Sequence, residues 1–283
     1  MCRWLAYSGS PVLLEDILYR PENSLVMQSK HARLGATAVN GDGFGIGWYG
    51  AVTGTPGLFL STEPAWNDRN LRELAAQITA DRVFAHVRAS TGAAVQRTNC
   101  HPFRYKNWLW MHNGLIAKFP LVRRELALAV TPELYPLIEG STDSEVMFYL
   151  AVGFGLEQDP TGAVARMVAF VEDVGHRNGV EFPVQMTVAT TDGTTTWAFR
   201  YSSRGRSRSL FHSADLSTLR DQYPDNPALH DLADGSRLIV SEPLGDLRGA
   251  WLEVPESTCV VVRAGVEEFF PFRPEASALV PRG

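Results

Sequence analysis

The order of predicted strands and helices is the feature that most constrains the fold of this 283-residue chain. Runs rich in aromatic and β-branched residues predict strands mainly in its two terminal parts, and the longest helical patterns lie in the middle. The predicted strands cover residues 3–8, 44–49, 57–62, 82–88, 107–112, 183–190, 195–202, 207–213, 236–241, 250–254 and 257–263. The predicted helices cover residues 12–19, 68–79, 118–129, 143–156, 160–176 and 215–222. Because strands and helices do not alternate, we expect an α+β fold with antiparallel sheets, not a doubly wound parallel sheet.

The charge and the cysteine content exclude several classes of protein. With a net charge of -5, the chain lacks the basic character of a dedicated nucleic-acid-binding protein. Its three cysteines are odd in number and too few for a disulfide framework, so we expect a reducing compartment and hence the cytoplasm. No signal peptide is predicted, and no apolar stretch approaches the roughly 18 residues that predict a membrane span.

A single domain is predicted for residues 1–276. No low-complexity linker divides this region, and it contains no internal repeat. The final segment, SALVPRG at 277–283, resembles the remnant of a protease site from an expression vector and is left out of the fold prediction. The sequence gives no indication of the oligomeric state.

Cys2 stands directly behind the initiator methionine. A small residue at this position usually permits removal of the methionine, which would leave a thiol and a free α-amine on the same residue. A nucleophile needs an adjacent base, and an N-terminal amine can act as that base. The alternative interpretation is that Cys2 is a small buried residue at the start of a strand, since cysteine is often buried.

Three further segments carry residues of chemical interest, and each has a purely structural interpretation when taken alone. In FAHVRAST at 84–91, Arg88 is explained equally well as a solvent-facing strand residue. In WLWMHNGLI at 108–116, Asn113-Gly114 is a strong signal for a hairpin turn. In GSTDSEVMF at 140–148, Asp143 complements the dipole of a helix that Thr142 and Glu145 cap as a capping box.

Together with Cys2, these residues supply the parts of an acyl-transfer site for an amino-acid substrate. The thiol provides a nucleophile, and the Asn113 side chain with the backbone N–H of Gly114 could hold an oxyanion. Arg88 could bind an α-carboxylate through a two-point fork, and Asp143 could pair with an α-ammonium group. The set fits a small-molecule γ-glutamyl compound as substrate.

The same motifs resemble those of the class II glutamine amidotransferases, the family with an N-terminal nucleophile. The resemblance spans roughly residues 2–150, and IVSEPL at 239–244 and WLEVP at 251–255 resemble the closing strands of the family. The matching elements, in order, are Cys2, NGDGFGIGWY, HVRAST, CHPF, HNG and STDSE. The Met-Cys-Arg start and the CHPF corner are closer to a standalone subgroup. That subgroup includes the amidotransferase-like component of the yeast-type glutathione-degrading complex and the γ-glutamyl hydrolase of ergothioneine biosynthesis.

The resemblance implies a four-layer αββα fold with two stacked, mainly antiparallel sheets. It implies Cys2 as nucleophile, Asn113 and Gly114 as oxyanion hole, Arg88 as ligand of the substrate carboxylate and Asp143 as ligand of its amine. It implies neither a metal nor an organic cofactor. The leading hypothesis is a standalone hydrolase of γ-glutamyl amide bonds that works through a γ-glutamyl thioester. The alternative is a glutaminase subunit that passes ammonia to a separate synthase; a peptidase is the other kind of partner that the subgroup suggests.

Other functions are weighed against these. A metal protein could use Cys100, His101, His86 and His112, but a structural zinc site commonly shows paired short ligand spacings. His86 and His112 are instead expected to be core histidines with satisfied hydrogen bonds. The glycine-rich NGDGFGIGWY is expected to lead into a strand, whereas a dinucleotide-binding fingerprint opens a helix. A catalytically silent scaffold is disfavoured because all five candidate positions are present.

The basic run SSRGRSRS at 202–209 is expected to be a solvated hairpin loop between two strands. A phosphate-binding role for it is the less favoured alternative.

Overall fold

The computed structural model describes residues 2–34, 39–50, 54–90, 92–225 and 233–274; the predicted vector-derived tail, 277–283, lies outside these ranges. Within the described residues the chain forms thirteen β-strands and seven α-helices. The strands are β1 (Arg3–Leu13), β2 (Phe44–Tyr49), β3 (Gly57–Ser61), β4 (Thr79–Val87), β5 (Phe103–Tyr105), β6 (Trp108–Ile116), β7 (Val184–Thr191), β8 (Thr195–Ser202), β9 (Phe211–Ser213), β10 (Arg237–Val240), β11 (Trp251–Glu253), β12 (Thr258–Arg263) and β13 (Val266–Pro271). The helices are α1 (Leu14–Leu18), α2 (Leu25–Lys30), α3 (Arg69–Ala75), α4 (Phe119–Leu128), α5 (Asp143–Gly153), α6 (Pro160–Arg177) and α7 (Leu216–Gln222).

The strands form two sheets. The first sheet has seven strands in the order β11-β9-β10-β1-β4-β2-β3, and the second has six in the order β13-β12-β8-β7-β6-β5. Neighbouring strands in both sheets are antiparallel. The predicted α+β class with antiparallel sheets is confirmed.

The alternation of side chains along each strand builds the four layers. On β1, Trp4 and Ala6 point between the two sheets, whereas Leu5 and Tyr7 pack against α1 to α3 on the outer face of the first sheet. On β6, Leu109 and Met111 point between the sheets, and the tryptophan at 110 packs against α4 to α6. The two sheets are therefore stacked face to face between two helical layers, the αββα arrangement expected from the resemblance.

Most predicted elements are present, with a few corrections. The predictions miss the short helix α2 and the strands β5 and β13. The strand predicted at 207–213 begins only at Phe211, and β8 and β9 belong to different sheets. The run at 202–209 is therefore not a hairpin loop, as predicted, but a crossing from one sheet to the other. Within the described ranges, no helix combines the length and apolar character needed to cross a bilayer.

A buried ion pair fixes the start of β1. Arg3 donates from Nε to a carboxylate oxygen of Glu242 at 2.9 Å, and from a terminal nitrogen to the carbonyl oxygen of Cys2 at 2.9 Å. Glu242 also accepts hydrogen bonds from the side chain of Asn23 and from the backbone N–H groups of Arg33 and Leu34. Burial raises the pKa of Glu242, but these donors together outweigh burial and hold it below its usual value. The carboxylate thus ties the C-terminal part of the chain to the residue that follows Cys2.

Glu242→Ala should lower the free energy of unfolding by about 3–5 kcal/mol, because it removes one partner of a buried ion pair. Urea denaturation at pH 7.5 measures this loss. Asp246→Ala is the control: Asp246 pairs with Arg33 at 2.8 Å, but its side chain is 75% exposed, so we expect little change. Equal effects of the two substitutions would contradict the anchoring role of Glu242.

Candidate active site

The register of β1 on β4 places Cys2 beside Arg88. Arg3 at the start of β1 pairs with Val87 at the end of β4. Since the two strands are antiparallel, the residue before Arg3 and the residue after Val87 lie next to each other at the same end of the first sheet. One strand pairing thus brings together two candidate residues that lie far apart in the sequence.

The Cys2 thiol lies partly buried at the surface of a cleft. Its Sγ is 3.7 Å from the carbonyl oxygen of Ala89. Burial raises the pKa of the thiol above its usual value, and the Asp143 carboxylate adds to this, whereas the contact with Ala89 and the positive charge of Arg88 act in the opposite direction. A neutral thiol in this setting needs a base if it is to act as a nucleophile.

Arg88 is buried, which excludes its interpretation as a solvent-facing strand residue. Its guanidinium donates to the carbonyl oxygens of Asp42 and Ala93 at 3.3 and 3.4 Å and to the Ser90 hydroxyl at 3.2 Å. All three acceptors are neutral, and within the described ranges Arg88 forms no ion pair with a carboxylate. The cation is held by dipoles, and its charge is not neutralised.

The glycine-rich motif positions Arg88. The backbone N–H of Asp42 donates to the carbonyl oxygen of Arg88 at 3.0 Å, and the backbone N–H of Arg88 donates to the carbonyl oxygen of Gly43 at 2.8 Å. The Asp42 carboxylate also accepts the backbone N–H of Ser90 at 2.7 Å. The chain then continues into β2, as predicted, where a dinucleotide-binding motif would open a helix.

Asn113 and Gly114 lie inside β6, so the hairpin interpretation of this dipeptide is wrong. Asn113 pairs with Thr187 on β7, and Thr187 donates to the Asn113 carbonyl oxygen at 3.4 Å. The Trp4 indole donates to Thr187 at 3.2 Å, which connects β1 in the first sheet to β7 in the second. A side chain at position 114 would collide with the carbonyl oxygen of Gln185, so this strand position accepts only glycine.

Asp143 begins α5 and faces the same cleft. One carboxylate oxygen accepts the backbone N–H of Ile116 at 2.8 Å, and the other accepts the backbone N–H of Ser144 at 2.8 Å. The side chain of Thr142 caps the helix by accepting the Glu145 N–H at 3.2 Å, as predicted. Within the described ranges no basic side chain pairs with Asp143.

The capping-box prediction is wrong in its second half. Glu145 does not return to the Thr142 backbone but accepts the backbone N–H groups of Glu139 and Gly140 at 2.9 and 2.8 Å. Every residue from 144 to 152 in this helix is buried. Glu145 thereby fixes the loop that leads into Asp143.

Three buried histidines, His86, His101 and His112, lie close to the candidate residues. The rings of His86 and His101 stack with their centroids 4.2 Å apart, and His112 Nδ1 lies 2.7 Å from the Ser144 hydroxyl. The prediction that His86 and His112 have all their hydrogen bonds satisfied is wrong: His86 Nδ1, His112 Nε2 and both ring nitrogens of His101 are buried without a partner. Burial lowers the pKa of all three, that of His86 to about 3. Within the described ranges no three His, Cys, Asp or Glu side chains are placed to hold a metal ion.

One cleft of about 590 Å³ brings the five predicted residues together. Cys2, Arg88, Asn113, Gly114 and Asp143 all line it. The cleft also contains three basic residues that sequence reasoning did not assign to the site: Lys118, Arg123 and Arg208. The sequence signal for Arg208 is the basic run at 202–209, whose pattern favours a solvated loop.

Comparison with known proteins identifies the family of the chain. The family model of the class-II glutamine amidotransferases matches residues 20–269, a region that begins after Cys2. The "Probable glutamine amidotransferase DUG3" of Saccharomyces cerevisiae is 34% identical, with 93% of this chain and 82% of the yeast protein covered. The γ-glutamyl-hercynylcysteine sulfoxide hydrolase of Mycolicibacterium smegmatis is 28% identical, with 83% of this chain and 93% of the relative covered.

A solved structure supports the same assignment. The glutamine aminotransferase class-II domain protein of Silicibacter pomeroyi superposes with a TM-score of 0.71 at 30% identity, covering 96% of this chain and 100% of that one. The chain belongs to the class II glutamine amidotransferases, and its αββα fold is the one expected for the family.

Lowering the pH from 7.5 to 5.5 should reduce the free energy of unfolding by about 1.4 kcal/mol through His86 alone. The unfolded chain binds a proton at this histidine below pH 6.5, whereas the folded chain does so only near pH 3, so protons favour unfolding in this range. Urea denaturation at the two pH values measures the change. His86→Gln should show a correspondingly smaller loss. A wild-type stability that does not fall between these pH values would contradict the assignment of a neutral buried imidazole.

Proposed function

We propose that the protein is a standalone hydrolase of γ-glutamyl amide bonds, with Cys2 as nucleophile after removal of Met1. The observation that carries the proposal is a pair of opposite, uncompensated charges in the cleft that contains Cys2. Arg88 is a buried cation without a carboxylate partner, and Asp143 is a carboxylate without a basic partner among the described residues. Both line the cleft that contains the thiol.

A zwitterion is the ligand that satisfies both charges at once. Arg88 binds the α-carboxylate of a glutamyl group through its guanidinium fork, and Asp143 pairs with the α-ammonium. Arg88 is buried and Asp143 is half-buried, so an interaction with an opposite charge is stronger at these groups than in water. With its α-carbon held in this way, the glutamyl side chain extends from the α-carbon toward Cys2.

The mechanism follows from the groups around the γ-carbonyl. The free α-amine of Cys2 takes the thiol proton, and Sγ attacks the γ-carbon. The Asn113 side chain and the Gly114 N–H stabilise the resulting oxyanion. The C–N bond then breaks, the proton from the thiol passes to the leaving nitrogen, and a γ-glutamyl thioester remains. Water attacks the thioester, which releases glutamate and restores the thiol.

A standalone hydrolase is favoured over an ammonia-delivering subunit because of two relatives. The mycobacterial relative is itself named as a hydrolase of a γ-glutamyl compound, and 93% of its length is matched. The Silicibacter pomeroyi chain is matched over its whole length. The alternative predicts an enzyme that releases glutamate slowly until a synthase or peptidase partner is added. Measuring glutamate release with and without the partner therefore distinguishes the two hypotheses. We further propose the cytoplasm as the compartment, since Cys2, Cys100 and Cys259 are all free thiols.

Cys2→Ala should abolish glutamate release from γ-glutamyl amides, because no other thiol lines the described part of the cleft. The assay uses protein whose intact mass shows that Met1 has been removed. Cys259→Ala is the matched control: Cys259 is buried on β12, away from the cleft, so this variant should turn over at the wild-type rate. Residual turnover by a folded Cys2→Ala protein would contradict the proposal.

Arg88→Ala and Asp143→Ala should each raise KM for glutamine roughly 10- to 150-fold, since a hydrogen bond to a charged group contributes ~1.5–3 kcal/mol. Steady-state kinetics of glutamate release measures both. A second substrate tests whether Asp143 recognises the α-ammonium group. Wild type and Asp143→Ala should hydrolyse 4-carbamoylbutanoate, which is glutamine without its α-amino group, at equal rates. If Asp143→Ala impairs both substrates to the same degree, Asp143 does not recognise the ammonium group.

A further inference from the structure

The basic run at 202–209 contributes one side chain to the cleft. The run leaves β8 in the second sheet and reaches β9 in the first, so it passes over the ends of both sheets. Of its three arginines, Arg208 lines the cleft that contains Cys2, whereas Arg204 stacks over the ring of Phe182 and Arg206 is exposed. Arg208 plays no part in the mechanism described above.

The backbone on either side of Arg208 is fixed. Ser207 donates through both its backbone N–H and its hydroxyl to the carboxylate of Glu256. Ser209 donates to the carbonyl oxygen of Ser241 at 2.9 Å. Arg208 therefore projects from a segment anchored at both neighbours, which reduces the entropy lost when its side chain binds a ligand.

The strand order shows on which side of Cys2 this arginine lies. In the first sheet β1 is flanked by β10 on one side and β4 on the other. Arg88 follows β4, whereas Ser241 follows β10 and holds Ser209, the neighbour of Arg208. Cys2 thus lies between Arg88 and Arg208. A glutamyl group bound on the Arg88 side, with its γ-carbonyl at Cys2, would have its leaving group on the Arg208 side.

The guanidinium of Arg208 has an unsatisfied hydrogen-bond donor. Its Nε is buried without a hydrogen-bond partner. Burial lowers the pKa of Arg208, the charge of Arg3 lowers it further, and the Cys2 thiolate acts in the opposite direction. A partly desolvated cation beside another cation gains most from an anionic ligand.

The side chains that line the cleft carry more positive than negative charge. Besides Arg88 and Arg208, the cleft carries Lys118 and Arg123 at the start of α4. Asp143 is the one acidic side chain among the described residues that line it. Once a glutamyl zwitterion occupies Arg88 and Asp143, three cations remain without an acidic partner in the cleft.

We propose that Arg208 is a specificity-determining residue that binds a carboxylate on the leaving amine. The preferred substrates are then γ-glutamyl amino acids or peptides, not glutamine or γ-glutamyl alkylamides. This inference rests on the proposed function and adds the chemical class of the leaving group to it.

The test compares γ-glutamylalanine with γ-glutamylalaninamide, two substrates that differ only in the carboxylate of the leaving group. Wild type should show a kcat/KM at least ~10-fold higher for γ-glutamylalanine, as expected for one charge-assisted hydrogen bond. Arg208→Gln should lower kcat/KM for γ-glutamylalanine by roughly 10- to 100-fold and leave γ-glutamylalaninamide unchanged. Arg206→Gln removes the same charge from an exposed position of the same run and should leave both values at wild type.

Two results would overturn the inference while leaving the proposed function intact. Equal loss on both substrates in Arg208→Gln would mean that Arg208 acts on the Cys2 thiolate and not on the leaving group. Equal kcat/KM for the two substrates in wild type would mean that the leaving-group carboxylate is not recognised. A wild-type enzyme, with Met1 removed, that releases glutamate from neither substrate and from no other γ-glutamyl amide would overturn the proposed function and this inference together.

Discussion

The pairing of β1 with its two neighbours is the constraint on which the site depends. β1 lies in the first sheet between β10 and β4, and its first residue pairs with the last residue of β4. This holds Cys2 next to Arg88, and the buried Arg3–Glu242 pair holds the same strand end to the segment that follows β10. The Trp4 indole reaches Thr187 in the second sheet, which places the β1 end over the Asn113 strand position. These contacts together fix the position of Cys2 relative to both sheets.

The chemistry follows from charges that the fold leaves uncompensated. A buried ion pair can cost as much in desolvation as it returns in attraction, so a fold gains little by pairing Arg88 with a carboxylate of its own. Here Arg88 is surrounded by carbonyl and hydroxyl oxygens, and Asp143 by backbone N–H groups. Each group is oriented without being neutralised, which is the preorganised state that recognition of an opposite charge requires. Arg208, on the other side of the thiol, is likewise a cation without an acidic partner among the described residues of the cleft.

The sequence predicts the fold class and all five candidate residues of the cleft, and its failures have local causes. Asn113-Gly114 has the dipeptide preference of a turn, but pairing along β7 overrides it and the glycine serves the close approach of Gln185. The helix α2 has only six residues, too few for a clear period. Arg208 was missed because its position depends on β8 and β9 lying in different sheets, a long-range pairing that no local pattern encodes.

Covalent labelling of Cys2 tests the central claim most directly. A glutamine analogue with a diazoketone in place of the amide should alkylate the nucleophile of a glutamyl site and no other thiol. Incubated with protein lacking Met1, it should add one label, and peptide mass spectrometry should place that label on Cys2 and leave Cys100 and Cys259 unmodified. Excess γ-glutamylalanine should prevent the labelling. Labelling at another residue, or none on a folded protein that lacks Met1, would contradict the account of Cys2 as the nucleophile of a γ-glutamyl site.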